Sequence, residues 1–175
     1  YGFTNLPYGD WTVVVDETTL PGNMVQTHDD DGIGPGSEHT SVTDLSPSAE
    51  SDLDQDFGYT GAGSIGDTVF FDVDGTETDG TPDTGDAGLG GIDMTVTWAG
   101  ANGTFGDADD FTTTATTSST TGTVGQYLVT GLPHGEYRVT LDDTDLPTGL
   151  DERTYDSDGT AGASQDTSAV TLDAT

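Results

Sequence analysis

Residues 1–16 read YGFTNLPYGDWTVVVD and residues 127–142 read YLVTGLPHGEYRVTLD, so one stretch of the chain restates another at an offset of 126 residues. In that register Tyr1 falls on Tyr127, Thr4 on Thr130, Leu6-Pro7 on Leu132-Pro133, and Gly9 on Gly135. Asp10 falls on Glu136, Trp11 on Tyr137, Val13 on Val139 and Asp16 on Asp142. The match runs on through Leu20-Pro21 against Leu146-Pro147. After one inserted residue, THDDDG at 27–32 falls on TYDSDG at 154–159. A chain of 175 residues with this repeat is expected to hold the C-terminal part of one unit, 1–60, and a second unit, 61–175. The first closes with DQDFGY at 54–59, and no counterpart follows Leu172-Asp173. The second is therefore expected to lack its last strand. Either the chain is a window on a longer array, or a neighbouring chain supplies that strand.

The units read as β. Short runs rich in β-branched and aromatic residues lie at 11–15, 67–71, 94–98, 127–130, 137–141 and 169–172, with Gly, Pro and Asp clusters between them. Runs of about five residues are too short for helices, and no window of about 11 residues shows helical apolar spacing. The expected fold class is all-β, a β-sandwich. Tyr1 starts inside a strand-like pattern.

Charge narrows the partners. The chain carries 33 Asp and Glu against 2 Arg (Arg138 and Arg153) and no Lys, a formal charge of −31. Nucleic acid and anionic membrane surfaces would be repelled. High salt screens such repulsion to about 3 Å at 1 M, and bound divalent metal cancels it locally. The absence of lysine points to a halophilic or marine source. Low hydropathy with high charge is also how unfolded chains read. Regular apolar alternation, turn-placed glycines and aromatics within strand patterns argue for a folded chain whose order depends on metal. With no cysteine, disulfides and thiolate metal sites are excluded. No apolar run approaches the roughly 18 residues of a membrane span, and no signal peptide is visible.

Residues 63–98 read as a strand, an acidic glycine-rich loop and a second strand. The loop offers Asp72, Asp74, Asp79, Asp83 and Asp86 as oxygen ligands, with Gly75, Gly80 and Gly85 to admit positive φ. Calcium takes 6–8 oxygens at about 2.3–2.6 Å and suits such a cluster better than magnesium does. A merely solvated acidic loop is the competing reading.

The elements GSIGDTVFFD, DGTPDTGDAGLGGI, YLVTGLPHGEYRVT, DSDG and DFGY, in this order around the repeat, resemble the B-type repeats of serine-aspartate repeat surface adhesins. These belong to the wider group of collagen-adhesin B-like domains. The resemblance implies tandem immunoglobulin-like β-sandwiches that bind calcium and form a stalk at the cell surface. It implies that Asp79, Asp83 and Asp86 are acidic positions of an EF-hand-like loop, Asp86 standing where Glu is usual. It places Asp72 at the end of the first strand, while the 74–79 spacing exceeds the family's by about three residues, leaving the upstream ligands open. It also implies that Asp156 and Asp158, and their copies Asp29 and Asp31, belong to a further calcium-associated turn. Without lysine, the Lys–Asn cross-link of many relatives cannot form.

Catalysis finds no pattern. His28, His39 and His134 lie in loop-like stretches, and His134 takes the turn position of Tyr8. Ser46, Ser48 and Ser51 lack nucleophile-elbow spacing. The segment 88–91 lacks the helix and lysine of a phosphate loop. Trp11, Trp98 and Phe105 read as core before they read as a carbohydrate platform. Asn102-Gly103-Thr104 is a formal glycosylation sequon. The expected function is an extracellular stalk or filament whose partners are neighbouring repeats. A glycan- or protein-binding adhesin module is the alternative, and an accessory domain of a secreted enzyme is a third.

Overall fold

The computed structural model describes residues 1–76, 80–150, 153–156 and 166–173. It is all-β, with no α-helix among the described residues. The strands are β1 (Gly9–Val14), β2 (Met24–Asp29), β3 (Thr40–Leu45), β4 (Phe57–Gly61), β5 (Gly63–Thr68) and β6 (Phe70–Phe71). They continue as β7 (Ala87–Gly88), β8 (Asp93–Trp98), β9 (Phe111–Thr116), β10 (Gln126–Leu132), β11 (Gly135–Leu141) and β12 (Thr167–Leu172).

Residues 63–172 contain the hydrophobic core. A four-stranded antiparallel sheet runs β12-β11-β8-β9, and β10 pairs with β5. Alternation along the strands sends Met94, Val96, Tyr137 and Val139 from the first sheet, and Ile65, Val129 and Leu132 from the second, into one cluster with Ile92. Two sheets sharing one core is the arrangement of a β-sandwich. Every buried hydrophobic residue among those described lies between Ile65 and Val139.

Residues 1–61 are built differently. They form two two-stranded ladders, β1 with β3 and β2 with β4. Their buried side chains are polar: Asp29, Ser41 and Gln55. Residues 1–8, expected to begin within a strand, form none. Tyr127–Leu132, 126 residues on, are held as a strand by β5, and no strand among the described residues plays that part beside Tyr1–Leu6. His28, expected in a loop, lies inside β2.

Local geometry recurs at the 126-residue offset. Trp11 Nε1 donates to the Pro7 carbonyl at 3.0 Å, and the Tyr137 hydroxyl donates to the Pro133 carbonyl at 2.7 Å. Asp16 Oδ1 accepts from the Thr18 amide (3.0 Å) and hydroxyl (2.6 Å), and Asp142 does the same with Thr144 at the same distances. Each of these aspartates caps a single 3-10 turn, Glu17–Thr19 or Asp143–Asp145. Gly9 and Gly135 both take positive φ, 132° and 143°.

The two halves meet at a backbone junction. The His134 amide donates to the Gly22 carbonyl (3.2 Å) and to Asn23 Oδ1 (3.1 Å), while Asn23 Nδ2 donates to the Leu132 carbonyl at 3.4 Å. Gly61 is buried here, and a Cβ on it would collide with the Leu132 carbonyl.

Candidate metal-binding loops

The 72–86 loop grows from a short neck, where Phe70 pairs with Gly88 and Phe71 with Ala87. Beyond it the aspartates bind backbone. The Gly75 amide donates to Asp72 Oδ1 at 2.7 Å, and the Thr76 amide and hydroxyl donate to Asp74 Oδ1 at 3.1 and 2.6 Å. Asp86 ties the two limbs together, accepting from the Val73 amide through Oδ1 and from the Asp83 amide through Oδ2, both at 3.0 Å. Gly75, Gly80 and Gly85 have φ of 69°, 76° and 132°, the left-handed conformations read from the sequence. Tyr155 packs over Gly80, bringing the Asp156 segment against this loop.

The loop's electrostatics are unbalanced. Local desolvation by the loop raises the Asp83 carboxyl above its ordinary pKa, and the charges of Asp86, Asp74 and Asp72 raise it further. Three of the other aspartates named in this loop therefore bear on Asp83; Asp79 lies outside the described residues. Among the described residues no three His, Asp or Glu side chains are already grouped closely enough to hold an ion. The donor set is all hard oxygen, however, and each engaged carboxylate keeps further lone pairs. That chemistry fits calcium.

The Asp29–Asp31 turn buries its first carboxylate and leaves Asp30 and Asp31 exposed. Asp29 is 5 % exposed; Gln26 Nε2 donates to its Oδ2 at 2.9 Å, and its Oδ1 is enclosed without a hydrogen-bond partner. The Val42 amide donates to Asp31 Oδ2 at 3.2 Å. Segment 52–56 lies alongside, a proximity that no motif of the chain announces. Its Gln55 carbonyl accepts the Tyr1 hydroxyl, and its side chain bonds Ser41 and Asp52. Local desolvation of the hydroxyl first, then Asp56, Asp29 and Asp52, push the Tyr1 phenol up, so three carboxylates bear on one ring.

Asp156 Oδ1 accepts from the Ser168 hydroxyl at 2.8 Å, and Asp158 lies outside the described residues. Here the protein supplies its own cation. Arg153 pairs with Asp166 and feels Asp156, whereas the matching position beside Asp29 holds the neutral Gln26.

A further acidic loop went unread in the sequence. Asn102 Nδ2 donates to Asp107 Oδ2 (2.9 Å) and Asp109 Oδ1 (3.0 Å), so the sequon's amide nitrogen is already engaged. The mutual hydrogen bond of Asp107 and Asp109 lowers the first carboxyl and raises the second. The aromatic candidates are dispersed. Trp98 packs against the core, Phe105 lies 4.0 Å beneath the Arg138 guanidinium, and Trp11 is tied to Pro7. His39, at φ 61°, stacks on Tyr59, and its Nδ1 lies 2.8 Å from the Tyr59 hydroxyl.

One titration separates two kinds of aspartate. Thr144 hydrogen bonds lower Asp142, whereas local desolvation and like charge raise Asp83. A raised carboxyl favours folding at low pH, and that contribution fades as pH rises through its folded pKa. A lowered one contributes above the unfolded value and is lost as pH falls through its folded pKa. Carboxyl-detected NMR in chelator should place the Asp83 midpoint above the ordinary value of about 3.9 and the Asp142 midpoint below it.

No protein-family profile, no curated protein and no solved structure matches this chain. No helix among the described residues is long and apolar enough to cross a membrane.

Proposed function

We propose that this chain is part of an extracellular stalk or filament of tandem immunoglobulin-like β-sandwich repeats, stiffened by calcium in its Asp-rich loops. The observation that carries the reading is the set of carboxylates bearing on Asp83 in a chain with no lysine and only two arginines. Asp72, Asp74, Asp83 and Asp86, with Asp79, would hold the ion. Bound calcium supplies the positive charge that lets these carboxylates lie together and ties the limbs of the loop. The recurring Trp11 and Tyr137 ties and the matching Asp16 and Asp142 caps support tandem repetition. The packing of Tyr155 on Gly80 would let one ion's effect reach the second acidic turn.

The exposed Tyr1 and Phe3, with ring centroids 6.0 Å apart, favour a ligand-recognition surface as the second reading. Their counterparts Tyr127 and Val129 pack in the core, so uncovered core accounts for the pair equally well.

Small-angle scattering of the chain in high salt tests the stalk. Calcium should sharpen and slightly lengthen the distance distribution, and chelator should broaden it. Identical curves in both conditions would remove stiffening by calcium from the account.

A further inference from the structure

We propose that the Leu132–His134 turn and the Pro21–Asn23 turn form a keyed, metal-independent clamp that sets the angle between successive repeats, with Asn23 as its positioning residue. The inference rests on residues 1–61 and 63–172 being parts of successive repeats, and not on calcium.

Chain connectivity leaves little slack at this junction. β4 ends at Gly61 and β5 begins at Gly63, so only Ala62 separates the strand of one half from that of the next. The Leu132 carbonyl lies over the joint, since a Cβ on Gly61 or on Gly63 would strike it. Leu132 is itself 3 % exposed within the core, which makes that carbonyl a fixed point. Asn23 grips it from the other half: Nδ2 donates to the Leu132 carbonyl at 3.4 Å, while Oδ1 accepts the His134 amide at 3.1 Å. One side-chain amide thus answers both a donor and an acceptor of the facing turn. The hydrogen bonds run between backbone groups and this amide, so no ion is needed to hold them and salt does not screen them away.

The key lies in residues 20–23, LPGN. At the 126-residue offset the second unit carries LPTG, residues 146–149. Both follow a capped 3-10 turn through a leucine of extended backbone, and Asn23 and Gly149 both take positive φ, 59° and 95°. The backbone is shared, and the two side-chain differences fall on the clamp. Gly149 lacks the bridging amide. Thr148 stands where the first turn has Gly22, against which the His134 ring packs so closely that a Cβ would meet its Nδ1. Glycine would suit the left-handed backbone at position 23 at least as well as asparagine, so Asn23 is there for its amide. LPGN therefore fits the LPHG turn at 132–135, and LPTG does not.

The test is a distance measurement by pulsed electron paramagnetic resonance on the full chain in high salt. With no native cysteine, Ser48→Cys and Thr120→Cys place one exposed spin label on each half. A single narrow distance distribution is expected, unchanged by chelator. Gly22→Thr/Asn23→Gly, which installs the second unit's own turn, should broaden it about twofold or more, and so should Gly61→Ala. The reciprocal Thr148→Gly/Gly149→Asn should leave it narrow. Amide-exchange protection in β3 and β11 should persist in every variant, which separates loss of the clamp from loss of the fold. If the exchanged turn strips β3 of protection, the equivalence of the two repeats fails, and Gly61→Ala still decides the clamp. Distributions as narrow in both variants as in the unmodified chain would overturn the proposal. So would broadening of the unmodified chain by chelator, which would assign the angle to calcium and leave that reading standing.

Discussion

Tyr137→Ala is expected to cost about 3–5 kcal/mol, most of the stability of a small domain, and to leave residues 63–172 largely unfolded at ambient temperature. The ring is 1 % exposed at the centre of the four-stranded sheet, opposite Trp98 on β8 and Val170 on β12. Its hydroxyl satisfies the Pro133 carbonyl, and burial pushes its pKa up to about 12. Tyr137→Phe keeps the ring and loses only that hydrogen bond, for about 1 kcal/mol. Trp11→Ala, at the matching but half-buried position, should cost about 1–2 kcal/mol. Denaturant unfolding monitored in high salt orders the three. A Tyr137→Ala loss no larger than that of Trp11→Ala would mean that the core is not centred on β11.

On the proposed calcium reading, withdrawing the ion is the second large effect expected. An ion bound only by the folded state stabilises it by about 2.7 kcal/mol when free calcium is a hundredfold above its Kd. For a chain of this length each such site corresponds to roughly 5–10 °C in melting temperature. Excess chelator should lower the midpoint by at least that much, and calcium should restore it where equal magnesium does not. The fall should deepen as salt is reduced, because the carboxylates around Asp83 then repel over a longer range. An unchanged midpoint would leave the acidic loops as salt adaptation.

Much of the β architecture was legible because β-branched and aromatic runs carry it. The runs at 94–98 and 137–141 became β8 and β11 almost to the residue. Strands with a polar surface were missed. FTTTAT, TSVTDL and MVQTHD form β9, β3 and β2, but threonine alternation does not register as an apolar period. β5 starts at Gly63, earlier than its apolar residues suggest, because Gly66 lets β10 approach so closely that a Cβ would strike the Tyr127 carbonyl. In the acidic loop the glycine conformations followed from residue type. That Asp86 would clamp both limbs did not, since the bond depends on how the neck closes. Asp52 and Asp56 near Asp29 were invisible for a simpler reason: β2 and β4 bring together residues more than 20 apart in sequence.

The central claim, calcium held by the 72–86 loop, is tested most directly by titration calorimetry of the full chain at high salt. Saturable calcium uptake is expected, weakened at least tenfold in Asp74→Asn/Asp83→Asn and not displaced by equal magnesium. Wild-type affinity in that variant, or no saturable uptake by the unmodified chain, would contradict it.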